Sequence, residues 1–538
     1  MSPALALATI YGQLQLRHIS YLVTGYALYI SFYRLVLYPR FFSPLRNIPG
    51  PPLGNPLLGQ FLPWLRGEPC IPQREWAKQY GTTVRAMTLF GVERMIYLSP
   101  DALHQILVKG WHENPRPPFL RGVLGLMAGH GLLTAIGEDH KRLRKAMNPA
   151  FSVQSIMAQT HMYYEPIEGL VELLNEHLED SPAGKVLPIY EWMGKVTLDI
   201  ICDTAFGYKP DCLHHPDNEL AVAFEELLGL QSGSDIILLA CLTSIPGAAR
   251  LLSSDWVVRH RKWLGRIPLP ISMFSKLETL LDSTHRIRNI SRQMLREKMA
   301  APDDTSTKKD IMSLLVRAAL DADSADEAMI DDRAMVDQVL TFLAAGHETA
   351  ATGISWALWL LANDQESQGR LREEVTPVFQ DSPRPDYRAL KSLEFLDCVV
   401  NESTRLFPPI AHTSRVTTKD DYVEGVLLPK GTLVNIPIRA ISTQKRLWGE
   451  DAEEFRPTRW LNLPDTYDAT YSNFSFLVGP HSCIGKTMAV NEMRAVLAAV
   501  IANFEFAPAY EGQRAHPAMA VTLKPEDNVP LLVKRVRR

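Results

Sequence analysis

Little in this sequence is concentrated. Its six cysteines (70, 202, 212, 241, 398 and 483) form no CxxC pair, which excludes a paired-cysteine framework and fits reduced thiols facing the cytosol. Cys212-Leu213-His214-His215 lacks a second ligand pair at suitable spacing, so it reads as a solvated loop, not a zinc site. Net charge is −4, leaving no electrostatic basis for nucleic-acid binding. Charged residues make up 22% and hydrophobic ones 46%, the balance of a globular chain rather than a disordered one. No internal repeat divides the chain.

What is present centres on Phe476-Leu477-Val478-Gly479-Pro480-His481-Ser482-Cys483-Ile484-Gly485, followed by an alanine- and methionine-rich helical pattern. Gly479 permits φ > 0, and Gly485 permits close approach of another group. A helix starting just after Cys483 would aim N–H groups and a positive dipole end at its sulfur, favouring thiolate. Such a thiolate suits a metal, a haem iron being one case. A buried, inert small hydrophobe is the alternative for a lone cysteine.

Ahead of it, Ile19 to Tyr38 is a run of about 20 largely apolar residues, enough to cross a bilayer core. Arg34, Arg40 and Arg46 follow it against Arg17 alone before it. That bias predicts an uncleaved anchor with the body in the cytosol. Pro49-Gly50-Pro51-Pro52-Leu53-Gly54 then reads as a stiff connector. Asp235 to Ile245 is unusually apolar but too short to span a membrane, leaving core or a membrane-surface loop open.

From Met335 to Ala362 only Asp337 and Glu348 are charged, which predicts a long buried helix. Within it, Ala345-Gly346-His347-Glu348-Thr349 sets an acid and a hydroxyl beside a glycine. A structural hydrogen bond or proton handling would account for them. Glu402 and Arg405 are spaced to pair on a helix. His140 and Arg144 likewise share one helix face.

Taken together, these stretches resemble the cytochrome P-450 family. The cysteine loop matches F-x-x-G-x-[R/H]-x-C-x-G, and Ala345–Thr349 matches the oxygen-binding [A/G]-G-x-[D/E]-T. Glu402 and Arg405 match E-x-x-R, Pro457-Thr458-Arg459-Trp460 matches P-x-R-[F/W], and Arg144 matches W-x-x-x-R with His140 in the tryptophan's place. The motifs occur in family order and cover nearly the whole chain. The resemblance implies a mainly α fold: one cytochrome P-450 domain with small β-sheets over residues 47–538, preceded by an N-terminal transmembrane anchor and flank over 1–46.

It further implies a microsomal monooxygenase of fungal style, using haem b with Cys483 as axial ligand to the iron. Phe476, Gly479, His481 and Gly485 would frame the haem, and His140, Arg144 and Arg415 would hold its propionates. Ala345 and Gly346 would make room for dioxygen, while Thr349 and Glu348 handle protons. Glu402, Arg405 and Arg459 would lock the haem-side loop. Phe119, Leu120, Leu126, Met127, Ile410, Ala411, His412, Met519 and Val521 fall where the family lines its substrate pocket. Electrons would come from NADPH through NADPH-cytochrome P-450 reductase, with cytochrome b5 as a second donor and Lys141, Arg142 and Lys145 as a docking face. The place implied is the endoplasmic reticulum membrane. The pocket's apolarity suggests a small hydrophobic, terpenoid-like substrate. A fatty-acid or xenobiotic hydroxylase, or a haem-binding membrane protein without turnover, stays open as an alternative.

Overall fold

Apolar residues at helical spacing carry most of the chain, and small sheets fill the remainder. The computed structural model describes residues 3–230, 234–245, 247–252, 254–260, 262, 271–300, 310–313, 332–518 and 520–536. Helix α1 (Pro3–Phe32) runs on as a π-helical stretch, Tyr33–Phe42, with Pro39 inside it. Proline has no N–H to donate, and the wider ladder persists just past it: the Ser43 N–H donates to the Tyr38 carbonyl at 2.8 Å.

The expected bilayer crossing over Ile19–Tyr38 is not met. No described helix is long and apolar enough to cross a membrane. The segment straddles the end of α1, and Ser20, Tyr21, Thr24, Tyr26, Tyr29, Tyr33 and Arg34 dilute it with polar groups. From Ile19 onward α1 is still bare, with Tyr21, Leu22, Val23, Tyr26 and Tyr29 exposed. The stretch after it is tied to the body. Arg85 Nη2 donates to the Pro39 carbonyl at 2.7 Å and pairs with Glu93 at 2.6 Å. Ser43 Oγ donates to the same carboxylate at 2.8 Å.

Strands β1 (Thr83–Met87) and β2 (Glu93–Tyr97) form an antiparallel hairpin. They join β4 (Thr413–Val416) and β7 (Leu433–Ile436) in a sheet ordered β1-β2-β7-β4; β3 (Lys185–Pro188), β8 (Phe504–Pro508) and β9 (Pro530–Arg535) make a second, and β5 (Asp421–Val423) and β6 (Val426–Leu428) a third. β2 and β7 run parallel, with Met95 opposite Val434.

The helices that build the site are α2 (Pro118–Ala128), α3 (Gly137–Met147), α4 (Ile189–Phe206), α5 (Ser234–Ser244), α6 (Asp332–Asn363), α7 (Glu394–Leu406) and α8 (Lys486–Asn503). Helix α6 has 32 residues, a length of about 48 Å at 1.5 Å per residue. It is apolar all round, so it lies in the core, with Ile354, Trp356 and Leu358 buried. The apolar run at 235–245 becomes α5, which packs against α2: Thr243 Oγ1 donates to the Phe119 carbonyl at 3.1 Å. Leu239 is buried there, while Ile245 is exposed.

Candidate active site

The loop before α8 is closed by its own backbone. The Cys483 N–H donates to the Phe476 carbonyl at 2.8 Å, and the Ser482 N–H to the Gly479 carbonyl at 2.9 Å. Gly479 has φ 74°, and a Cβ there would lie 2.3 Å from the Leu107 carbonyl oxygen. Only glycine fits both demands.

Gly485 stands immediately before α8. Its N–H, with Arg144 and Lys486, draws the Cys483 thiol down, but burial is the larger influence and holds the thiol above its ordinary value. The expected bias toward thiolate therefore does not follow from the protein atoms alone. A metal cation at the sulfur would reverse the balance. Cys483 lies deep in the protein and yet keeps accessible surface, so its sulfur faces an internal space.

Across the core, Ala345 is the one exposed residue between Val336 and Ala357 on α6. Thr349, one turn on, is half-buried and donates from Oγ1 to the Ala345 carbonyl at 2.6 Å. This face of a core helix thus opens inward. Gly346 turns elsewhere: a Cβ on it would lie 2.7 Å from two side-chain carbons of Ile201. Its missing side chain lets α4 close against α6, which replaces the expected role of making room for dioxygen. Glu348 is buried and accepts a hydrogen bond from Thr522 Oγ1 at 2.6 Å.

Basic groups gather beside the cysteine loop. The His140 and His481 rings lie 3.9 Å apart, with Trp111 5.5 Å from His481 and 5.9 Å from His140. Arg116 Nη1 is 3.4 Å from His481 Nδ1. Arg144 donates from Nη1 to the Ser482 carbonyl and from Nη2 to Ser482 Oγ at 3.4 Å, pinning α3 to the loop. Arg415, fully buried on β4, donates from Nη1 to Thr413 Oγ1 at 2.9 Å.

Burial leads, and neighbouring cations follow, in pushing His140 down to about 4, His481 down to about 2 and Arg415 well below its usual value. His140 Nδ1 and Arg415 Nη2 are buried without a hydrogen-bond partner among the described residues. The Arg415 guanidinium, held in the dry interior with only Arg116 acting on it and neutral histidines among its neighbours, calls for an anion. The propionates of a haem, with Cys483 beside them, meet that demand.

Glu402 is fully buried and accepts from five donors: Arg405 Nε at 2.8 Å and Nη2 at 2.9 Å, Arg459 Nε at 2.7 Å, Trp460 Nε1 at 3.0 Å and the Arg456 N–H at 3.0 Å. Arg405 also donates to the Ser442 and Ala452 carbonyls at 3.1 and 2.5 Å. Helix α7 then holds the start of the cysteine loop, because Ser475 Oγ donates to the Thr404 carbonyl at 2.7 Å.

The expected pocket residues are placed unevenly. Phe119, Ile410 and Val521 are half-buried, and Ala411, Leu126 and Met127 are buried, the last two within the core between α2 and α6. Met519 lies outside the described residues. His412 keeps accessible surface although protein surrounds it. Sequence reasoning missed Trp111, Arg116 and Thr522. Arg116 carried one signal, its place between Pro115 and Pro117 in a stiff turn; Thr522 carried none. The Cys212–His215 loop pairs His214 with Asp211 at 2.6 Å, and no group of residues suited to a metal ion occurs among the described residues.

Comparison with known proteins adds the following. The family described as Cytochrome P450 matches residues 49–531. The chain is 31% identical over 524 residues to cytochrome P450 monooxygenase sphH of Aspergillus fumigatus, covering 94% of this chain and 91% of that one. It is 30% identical to cytochrome P450 monooxygenase 128 of Postia placenta, with 93% and 94% covered. It is 28% identical to ganoderic acid synthetase CYP5150L8 of Ganoderma lucidum, with 90% and 91% covered.

Proposed function

The chain belongs to the cytochrome P450 family and is a haem-dependent monooxygenase, and from that premise we propose that Cys483 is the axial ligand of the haem iron. What carries this reading is an inward-facing sulfur beside buried basic groups, the Arg415 guanidinium above all, with no counter-charge among the described residues. His140, His481, Arg415 and Arg116 would bind the propionates, and Arg144 would steady the loop carrying the ligand. Phe476, Gly479 and Gly485 shape that loop.

Bound haem supplies the activation of dioxygen and the insertion of one of its atoms into substrate. The protein supplies the rest. Ala345 presents only a methyl group to the inward space, leaving room above it. Thr349 Oγ1 would pass a proton toward that space, and Glu348 would resupply it by way of water. Thr522 fixes which way the Glu348 carboxyl points.

Electrons would come from NADPH through a flavoprotein reductase, with cytochrome b5 as a second donor. Lys141, Arg142 and Lys145 lie exposed on α3, where such a partner would dock. The exposed apolar side chains of α1 would rest on the endoplasmic reticulum membrane, with the site facing the cytosol. The substrate is an apolar secondary-metabolite skeleton of terpenoid type. Half-buried Phe119, Ile410 and Val521 support that choice, as do the fungal relatives, one of them named a ganoderic acid synthetase.

The test co-expresses the chain with a reductase, supplies terpenes and fatty acids under isotope-labelled dioxygen, and follows the label into product. One labelled oxygen in a terpene, with NADPH consumed, is expected. Label in fatty acids alone would refute the terpenoid assignment, and no labelled product at all would refute turnover on these substrates.

A further inference from the structure

Two buried hydroxyls near Glu348 have no hydrogen-bond partner among the described residues, those of Thr352 and Tyr190. Glu348, Thr352 and Trp356 follow one another at four-residue spacing along one face of α6. The C-terminal segment is laid along that face. Thr522 Oγ1 donates to Glu348 at 2.6 Å, and Trp356 Nε1 donates to the Leu523 carbonyl at 2.6 Å. Thr352 is fully buried between these two fixed contacts. A hydroxyl inside a helix can turn back on the carbonyl one turn earlier. Ser355 does so to Ala351 at 2.7 Å and Thr349 to Ala345 at 2.6 Å, but Thr352 does not.

Tyr190 stands in the first turn of α4, which packs along α6 with earlier residues of one meeting later residues of the other. A Cβ on Gly346 would lie 2.7 Å from Ile201, and Thr197 Oγ1 donates to the His347 carbonyl at 3.1 Å. The first turn of α4 therefore falls past His347, toward Thr352. The Tyr190 N–H donates to the Asn528 carbonyl at 3.0 Å, which ties it to the same C-terminal segment that covers Glu348. Its Oη is buried, although Tyr190 as a whole keeps accessible surface. Burial and then Glu348 hold that hydroxyl above its ordinary value, and Thr352 draws it down. Both residues act on it, as the packing requires.

Hydroxyls closed off from bulk water need a partner. Two of them with one carboxyl group make three polar partners, the number a buried water usually takes. We propose that Tyr190 and Thr352 hold an internal water against Glu348 and that this water replaces the proton Glu348 gives up. This rests on the reading of Glu348 as a proton donor in a monooxygenase. One O–H bond of the water breaks as its proton passes to the carboxylate. The water takes a proton from Tyr190 Oη, which takes one in turn from solvent. The net change is one proton moved inward, and neither the water nor the tyrosine ends charged. Tyr190 and Thr352 are positioning residues, acting through Glu348.

The test uses the haem-loaded protein and the infrared band of the Glu348 carboxyl, assigned by its loss in Glu348→Gln. Tyr190→Phe and Thr352→Val should each move that band, because the carboxyl loses the water's hydrogen bond, and Thr352→Ser should keep it in place. In the first two variants, with reductase, NADPH and a terpene, product per NADPH should fall severalfold. The solvent deuterium isotope effect on product formation should rise with it. A hydroxyl that only packs moves neither the band nor the isotope effect. An unmoved band in both variants would overturn the proposal, as would a moved band with unchanged coupling and isotope effect. Failure of the underlying reading is distinguishable, because Glu348→Gln would then couple as well as the wild type. The red-shifted Soret band of the reduced carbon monoxide complex reports intact haem-thiolate in each protein. If Tyr190→Phe fails to retain haem, Thr352→Val carries the test with the same expected results.

Discussion

Thr522 shows how one hydroxyl can set a carboxyl. Its Oγ1 donates to Glu348 at 2.6 Å from a turn near the C-terminus, and both residues are buried. Valine has the same shape without the donor, so Thr522→Val leaves one Glu348 oxygen short of its partner. That variant should still bind haem but waste electrons, with product per NADPH falling severalfold and hydrogen peroxide rising. Thr522→Ser should retain most of the coupling. The measurement is the ratio of product and peroxide to NADPH consumed. Unchanged coupling in the valine variant would mean that the hydroxyl only packs. Nothing in the sequence joined Thr522 to Glu348, because their meeting is tertiary.

At the scale of elements, the Glu402 carboxylate ties α7 to the segment carrying Arg459. Glu402 pairs with both Arg405 and Arg459 in a site closed to solvent, and Arg459 also pairs with Asp451 at 3.2 Å. Glu402→Gln removes the charge and leaves Arg405 buried without a carboxylate, while Arg459 keeps only Asp451, a loss of about 3–5 kcal/mol. Denaturant unfolding should show that loss together with early release of haem; a midpoint within error of wild type would contradict it. This network was legible because Glu402 and Arg405 are three residues apart on one helix, and Arg459 stands in a short motif. The cysteine loop was legible for the same reason. Gly346 was misread because a pentapeptide does not reveal which face α4 covers, and the structure turns that glycine toward Ile201. Trp111 carried no signal and Arg116 only its place between two prolines, because the histidines they meet are distant in sequence and their own segment has no motif.

For the whole molecule, the mainly α architecture and the order of its motifs could be read from the chain, whereas the membrane crossing could not. Length suggested a span, but polar groups and the junction at Phe32 break it. The contacts that fix the entering chain come later, at Pro39 and Ser43. A protein lacking residues 1–32 should therefore fold and hold haem while co-floating with lipid vesicles much less than the full chain. Equal flotation would place membrane attachment elsewhere. All of these expectations depend on the sulfur of Cys483 meeting haem iron. The reduced carbon monoxide spectrum tests this most directly. The wild type should give the red-shifted Soret band of a thiolate-ligated haem, and Cys483→Ser should lose it. A serine variant that kept the band would contradict the account.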